Sequence, residues 1–526
     1  MKNASLAERT KKKSKKIVSR VFFSRGVPIV LFIILQVVFL VAFAFYFQLY
    51  FERYYLVSAF MALFTVIYII NRNSKNEFKL AWIIMIVFLP VFGILMYIYT
   101  VINPFTRRLK KRYEKHHGIA MSMLSSCVNE DIIKGEKKEF SLISNFMWET
   151  GSYPTYSGSE ITYYDEGDKV FEAIIAELKK AEKYIFLQFF IISPGILWDR
   201  IHEILKEKAK EGVEVRIIYD GTNTLTNVTK RFRETLEAEN LKTRVFLPVR
   251  PLFSTNMDFR NHRKIVIVDG KAAFTGGCNI GDEYANIIER FGHWKDCGAL
   301  IKGTAVNTFV AMFLESWALC VKKAGTEDYR RFSFESSEEF PAAEGSYLIP
   351  YGDDPFNHFD IAEELYNHII RRAQKYIYIM TPYFVIDNEM LNSLCFAARS
   401  GVDVRIVLPH IPDKKLPYCV AHTFFERLLR AGVKIYKYTP GFIHSKVVLS
   451  DNKKAVVGTV NFDFRSLYHH FEDGLFIYKD PVIKDIKRDF KAVFESSEII
   501  SYEAYARMPL WYKISGGLFK VLESLI

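Results

Sequence analysis

HRKIVIVDGKAAFTGGCN at residues 262–279 returns as HSKVVLSDNKKAVVGTVN at residues 444–461. His262, Lys264, Asp269, Gly276 and Asn279 therefore match His444, Lys446, Asp451, Gly458 and Asn461 position for position, with Gly277 facing Thr459. Each copy reads as an apolar strand closed by the aspartate, followed by a glycine-containing turn and an asparagine. A histidine and a lysine two apart on extended chain share a face, so each copy presents an imidazole beside a fixed positive charge.

The surroundings repeat as well. Ala181, Lys183, Tyr184 and Ile185 open a strand ending near Ile192, and Ala373, Lys375, Tyr376 and Ile377 open another ending near Val385. Gly212 to Ile217 is echoed by Gly401 to Ile406, and Leu241 to Pro248 by Val433 to Pro440. Helical patterns such as Val170 to Lys180 and Ile361 to Arg372 alternate with these strands, which predicts an α/β layer structure in each half. The architecture is thus two tandem α/β halves, 141–335 and 336–505, meeting at one pseudo-twofold site, with a polar linker from Thr326 to Gly345 near their junction.

The chain has 526 residues, half of them hydrophobic, which implies two or three domains. A formal net charge of +12 suits an anionic partner: acidic lipid, nucleic acid or a phosphate-bearing substrate. Six scattered cysteines with no CxxC pair argue against a zinc site or a disulfide framework.

Ahead of the repeats, Pro28 to Phe51 is nearly unbroken apolar sequence, long enough to cross a bilayer and longer than a usual signal-peptide core. Shorter runs follow at Tyr54 to Ile70 and at Leu80 to Ile102, the latter interrupted by Pro90 and Gly93. Residues 28–102 are read as a membrane region of two or three hydrophobic helices. A basic tail (1–27) precedes it and a basic linker (103–140) follows, and both basic segments favour the cytoplasmic side. Three full spans would separate them, so either the charge rule is broken here or one run, the second or the third, is re-entrant or interfacial. Residues 506–526 fit an amphipathic helix, either in a membrane interface or packed on the second half.

Cleaving a phosphodiester needs an in-line nucleophile, a proton for the leaving alkoxide and donors around the phosphoryl oxygens. One neutral imidazole can attack phosphorus while the other, protonated, acts as general acid, after which their roles reverse. Lys264, Lys446, Asn279 and Asn461 are candidates to hold the phosphoryl oxygens. Asp269 and Asp451 close a strand, where aspartate is often a turn former. No metal or other cofactor is required by this scheme, and the pairs His116–His117 and His469–His470 read as surface residues. A lone HxKxxxxD has a chance frequency of about a few in a hundred, whereas two copies inside matching repeats leave coincidence below about one in a hundred.

On these motifs the chain resembles the phospholipase D superfamily and, within it, the bacterial cardiolipin synthases. The resemblance extends to Asp282, Glu283, Tyr284, Trp294, Lys295 and Asp296 in the first half and to Asp463, Arg465, Ser466, Phe471 and Glu472 in the second. It places His262, Lys264, Asp269, His444, Lys446 and Asp451 in the catalytic motifs, and implies that the acid following each motif, Asp296 or Glu472, orients its histidine. Gly277 stands where serine is usual, which removes a hydroxyl expected near the phosphate. The implied reaction condenses two phosphatidylglycerols into cardiolipin and glycerol through a phosphohistidine. The implied setting is a multi-pass protein of the bacterial cell membrane with its catalytic region on the cytoplasmic face, acting on anionic phospholipid and not on nucleic acid. A phospholipase D that hydrolyses, or uses another alcohol, shares the same residues; a nuclease has no need of apolar spans, and a mere lipid anchor has no need of two imidazoles. Oligomeric state is not legible.

Overall fold

Both quoted stretches fold as the same antiparallel hairpin. Ile265–Val268 pairs with Ala272–Gly276, and Val447–Ser450 with Lys454–Gly458. The computed structural model describes residues 34–39, 41, 51–101, 103–124, 138–249, 259–321, 327–335, 340, 343–357, 359–508 and 510–520.

Each hairpin sits inside a mixed sheet of the same strand order. In the first half the order is Glu160–Tyr164, Gly298–Lys302, Ala272–Gly276, Ile265–Val268, Tyr184–Phe189, Glu214–Asp220, Lys242–Phe246. In the second it is Tyr347–Asp353, His470–Tyr478, Lys454–Gly458, Val447–Ser450, Tyr376–Met380, Asp403–Pro409, Lys434–Tyr438, with Ser497–Ile500 added at the edge. The three strands Tyr184–Phe189, Glu214–Asp220 and Lys242–Phe246 are parallel, as are their counterparts, and their faces are covered by helices. Gly167–Lys179 and Ile196–Lys210, for example, bury Phe171, Ile174, Trp198 and Ile201 in the first-half core. The two halves belong to one compact unit, Leu109–Pro248 with Asp258–Ile526.

Two short parallel pairings join the halves. Arg260–Asn261 lies beside His470–Phe471, and Gly441–Ile443 beside His293–Lys295. In each case the residues just before a motif histidine pair with the strand carrying the acid of the other half. The motif glycines allow this strand to come close: a Cβ on Gly276 would stand 2.4 Å from the Cys297 oxygen, and one on Gly458 2.5 Å from the Asp473 oxygen.

The segments read as linkers are partly built into this unit. In the helix Pro104–Ser122, the side chains of Tyr113 and His117 bond to buried Asp354 and Glu315. Glu327 pairs with Arg216, and the Phe332 oxygen accepts from Tyr184. The terminal helix Leu510–Lys520 packs on Lys415–Ala431, with Gly516 against the Cys419 backbone, while Ile514 and Leu518 remain exposed.

The other unit is Met1–Arg108 with Val249–Met257. Among the described residues no helix is long and apolar enough to cross a membrane. Most of the Pro28–Phe51 run lies outside the described residues. The third run is divided into Asn76–Phe88 and Pro90–Val101, because Pro90 has no N–H to continue the first helix. At 13 and 12 residues these pieces span roughly 20 Å each at 1.5 Å per residue, short of a ~30 Å hydrocarbon core, so the expected third span is two short helices. With the helix Phe51–Ile70 they share a small core of Ala62, Ile69, Ile86, Ile94 and Tyr97. Much of the remaining apolar surface, including Leu56, Phe60, Phe64, Val87 and Phe88, is exposed.

Candidate active site

His262 and His444 stand at the same end of their sheets, where the parallel strands terminate. The adjoining strand fixes this: Ile265 pairs with Gln188 near the end of Tyr184–Phe189, and Val447 with Met380 at the end of Tyr376–Met380. Along 262–264 the side chains alternate. His262 and Lys264 belong to the polar site, while fully buried Arg263 turns into the core and pairs with Glu315 at 2.9 Å.

The histidine–acid pairs are crossed between halves. His262 donates its backbone N–H to the Phe471 oxygen (2.8 Å), and its Nδ1 lies 2.8 Å from Glu472 Oε2. His444 donates its backbone N–H to the Lys295 oxygen (2.7 Å), and its Nδ1 lies 2.7 Å from Asp296 Oδ2. Each acid thus serves the histidine of the opposite half, which corrects the expectation that it serves its own. The cause is topological: the two parallel joining pairs place each acid-bearing strand beside the other half's motif.

Burial holds the His262 imidazole well below its ordinary range, and Lys264 and His470 add to this against the pull of Glu472. Burial and Lys446 likewise push His444 down to about 4. Glu472, despite burial, is held well below the usual carboxylate range by His262, and Asp296 is lowered by His444 in the same way. The consistent state is a neutral imidazole donating Nδ1–H to an ionised carboxylate, which leaves the Nε2 lone pair for chemistry. Burial lowers Lys264 to about 7 and Lys446 to about 8, with Lys446 adding to the effect on Lys264. Lys264 Nζ donates to the His262 carbonyl at 2.6 Å, and Lys446 Nζ donates to that of His444. Because Lys264 also acts on His444, the two motifs form one electrostatic cluster.

Several expected residues occupy other roles. Asp269 and Asp451 lie at the far end of the motif strand from the histidines. The Asp269 carboxylate accepts the backbone N–H groups of Glu182, Lys183 and Tyr184, and Asp451 those of Gln374, Lys375 and Tyr376. Both adopt left-handed backbone angles, φ 54° and 56°, so they form the hairpin turn and clamp the neighbouring strand. Asn279 accepts from Ile191 N–H (3.0 Å) and donates to the Tyr284 hydroxyl (3.0 Å), which commits its amide to positioning. Asn461 is buried, with its Oδ1 unpartnered.

The Gly277 position supports an acid. Its counterpart Thr459 donates to Glu472 Oε2 at 2.5 Å, whereas a Cβ on Gly277 would fall 2.0 Å from Asp296 Oδ1. Glycine there makes room for the shorter carboxylate.

Sequence reading missed three participants. His470 is only 11% exposed, with its ring 5.5 Å from that of His262 and its Nδ1 3.5 Å from Glu472 Oε1, so the surface reading of this histidine is corrected. Trp294 occupies the equivalent place against His444, at 5.4 Å. The donor atoms of His262, His470 and Glu472 lie within 4.8 Å of one another, a grouping able to hold a metal ion. Second, Asp473 accepts from Lys264 N–H (3.1 Å) and from Thr275 Oγ1, and burial raises it to about 6. Third, Arg263 Nε donates to the Glu472 carbonyl (2.9 Å), and Glu315 behind it accepts from His117 (2.7 Å), which is therefore not a free surface residue either. Glu315 was detectable, being the sole charge in the apolar helix Val306–Cys320.

The family described as cardiolipin synthase, phospholipase D-like domain, matches residues 174–302 and again 366–494, and a phospholipase D-nuclease N-terminal family matches 59–99. An uncharacterised protein of Streptococcus mutans is 38% identical over 465 residues, 88% of this chain and 99% of its own length. The cardiolipin synthase of Geobacillus kaustophilus is 33% identical over 470 residues, 88% of this chain and 92% of that protein. Among solved structures, the phosphatidylserine synthase of Haemophilus influenzae superposes with a TM-score of 0.56 at 15% identity, covering 73% of this chain and all of that one, a likeness of fold. The chain belongs to the phospholipase D superfamily and, within it, to the cardiolipin synthase family of phosphatidyltransferases.

Proposed function

We propose that this phosphatidyltransferase condenses two phosphatidylglycerol molecules into cardiolipin and free glycerol through a phosphohistidine. The observation that carries the reading is the pair of neutral, carboxylate-oriented imidazoles on opposite sides of one site, flanked by two lysines. The Nε2 of one imidazole attacks phosphorus and displaces the glycerol alkoxide, which takes the Nε2 proton of the other imidazole, a ring that gains this proton when the anionic phosphodiester binds beside it. The second imidazole then removes the proton from the hydroxyl of an incoming phosphatidylglycerol, and that oxygen displaces the histidine from phosphorus. One P–O bond is exchanged for another, so no nucleotide is consumed. Lys264 and Lys446 stabilise charge on the phosphoryl oxygens, where a water-poor site makes each contact most effective.

By resemblance the nucleophile is His262. Both lipids remain in a bilayer throughout, and the exposed apolar side chains of the helices at 51–101 support residence there, since contiguous exposed apolar surface marks a partner or a membrane. The basic residues at both ends of that region favour a cytoplasmic catalytic face. Rapid quenching with phosphate-labelled phosphatidylglycerol, followed by peptide mapping, tests the intermediate. An acid-labile adduct on His262 is expected, label on His444 would reverse the roles, and label on neither would overturn the covalent route.

A further inference from the structure

The helix Ile361–Arg372 carries Glu363, Asn367 and Arg371 four residues apart, so the three lie in one row on its surface. That row meets the start of the helix Asn388–Arg399. Arg371 pairs with Glu389 at 2.7 Å and donates to Ser393 Oγ at 3.0 Å, and one oxygen each of Glu363, Asp387 and Glu389 lie within 4.8 Å of one another. Glu363 and Asp387 are only 1% and 4% exposed. Asn367 is 1% exposed as well, and among the described residues neither its Oδ1 nor its Nδ2 has a hydrogen-bond partner. Standing in the row between Glu363 and Arg371, its amide faces the carboxylate group that both of them reach. Burial, with Glu363 and Asp387 close by, pushes the Tyr468 hydroxyl far above its ordinary range, which sets that ring beside the same acids.

Helix polarity accounts for acids in the first turn of a helix, and Asp387 caps Asn388–Arg399 by accepting the Met390 N–H at 2.8 Å. It does not account for a buried amide left without a partner, which is costly. Nor does it account for three carboxylates converging where Arg371 offsets one charge.

We propose that Glu363, Asp387, Glu389 and Asn367 form a site for a hard divalent cation, Ca²⁺ in preference to Mg²⁺. Three carboxylates and an amide oxygen, with no nitrogen or sulfur donor, select such an ion over a transition metal. Oxygens within 4.8 Å of one another fit around Ca²⁺, whose opposite ligands stand about 5 Å apart. Because two of the carboxylates are buried, a bound ion sheds most of its water, which Ca²⁺ does more readily than Mg²⁺. The Glu389 side chain, 44% exposed, gives the ion its path from solvent. The site's role is structural. Phe462 stacks on Tyr366 of the same helix and on Phe384, with ring centroids at 4.8 and 6.3 Å, so fixing this helix to residues 387–389 steadies the stretch from Asn461 to the strand bearing Glu472.

The test uses the full-length protein, stripped with a chelator and held in neutral detergent micelles, free of anionic lipid that would itself bind cations. Tb³⁺, a luminescent surrogate for Ca²⁺, is titrated under excitation of tyrosine. A saturable signal is expected, displaced by Ca²⁺ at a concentration about tenfold or more below that needed for Mg²⁺. Tyr468→Phe should dim the signal while calorimetry finds the same Ca²⁺ affinity. Glu389→Gln, at a half-exposed position that leaves the buried packing untouched, should weaken Ca²⁺ binding about tenfold or more. Saturating Ca²⁺ should raise the unfolding temperature of the parent by a few degrees and that of Glu389→Gln by less. No saturable binding in the parent, or equal affinity in the parent and Glu389→Gln, would overturn the site. Displacement by Mg²⁺ as readily as by Ca²⁺ would overturn the choice of ion, and undiminished luminescence in Tyr468→Phe would put the bound ion elsewhere.

Discussion

His262 directs its Nδ1 to Glu472, a residue 210 positions further along the chain and in the opposite half of the repeat, while His444 is held by Asp296 of the first half. Neither half therefore contains a complete histidine–carboxylate pair. This explains mechanically why the duplication is retained as one site: separating the halves would strip both imidazoles of their acceptors.

The crossing makes Glu472→Gln and Asp296→Asn separable. Each amide can still touch its imidazole but no longer stabilises the ring when it gains positive charge. If His262 forms the adduct, Glu472→Gln slows adduct formation and Asp296→Asn slows proton delivery from His444. Each change should reduce turnover about 100-fold or more. His262→Ala and His444→Ala should each lose two to four orders of magnitude, roughly, because each ring acts in both half-reactions. Stopped-flow and quench measurements of the two half-reactions check this; near-normal turnover in either alanine variant would contradict the shared site.

Asp269 and Asp451 should behave as stability residues. Each carboxylate receives three backbone N–H groups, and replacement by alanine leaves those donors without an acceptor. A loss of about 2–4 kcal/mol is expected from hydrogen bonds to a charged group. Thermal or urea unfolding should show it, while turnover per folded molecule stays close to that of the parent.

Gly277→Ala should be more damaging than its size suggests. The added methyl would meet Asp296 Oδ1 at 2.0 Å and the His444 carbonyl at 2.8 Å, so the carboxylate that orients His444 has to move. A loss of about tenfold or more in kcat, with KM little changed, is expected for a misplaced imidazole. Thr459→Val should slow the His262 step by removing the hydroxyl that fixes Glu472. Steady-state kinetics in mixed micelles measure both.

The pH dependence follows from burial. Burial keeps the unliganded imidazoles neutral well below pH 6.5, with His444 at about 4, so the acid limb of kcat/KM should lie below the ordinary histidine value. On the alkaline side Lys264 and Lys446, at about 7 and about 8, lose their protons as pH rises, and with them the attraction for phosphate. Activity should therefore decline from about pH 7 upward through a rise in KM, well before the usual lysine range. A flat profile to pH 10 would contradict fully buried lysines.

The repeat carried most of what the sequence could tell. The succession of strands and the two histidine–lysine pairs are local patterns that recur in both halves, whereas Asp296 and Glu472 stand at different distances from their motif histidines and were implied by the family resemblance. The crossing was not legible, because it depends on which strand lies beside which, and Asp296 is a plausible partner for either histidine until Gly441–Ile443 is placed next to His293–Lys295. Asp269 illustrates the converse: its turn-forming chemistry was readable, and its place in the motif drew it into the catalytic set. His470 and His117 were misread because adjacent histidines look like surface sequence, whereas one stands beside His262 and the other completes the buried Arg263–Glu315 pair.

That last contact bears on how the chain can be shortened. A chain starting at Ser141 would lose Tyr113 and His117, leaving Asp354 and Glu315 without these partners. Removing one member of a buried ionic group costs about 3–5 kcal/mol, so such a chain should unfold at markedly lower denaturant concentration. A chain retaining Pro104–Ser122 should keep its stability and its turnover of detergent-dispersed lipid, yet lose most turnover on vesicles and become salt-sensitive, since screening weakens attraction to anionic lipid but not apolar insertion. Unfolding curves and vesicle assays on the two lengths check this.

The central claim is phosphatidyl transfer between two lipids at the crossed site, and product analysis tests it most directly. Purified full-length protein in vesicles containing phosphatidylglycerol alone, followed by mass spectrometry, should yield cardiolipin and free glycerol in equal amounts, and neither with His262→Ala or His444→Ala. Phosphatidic acid as the main product, with no cardiolipin, would show that water and not a second lipid is the acceptor, and would contradict the account.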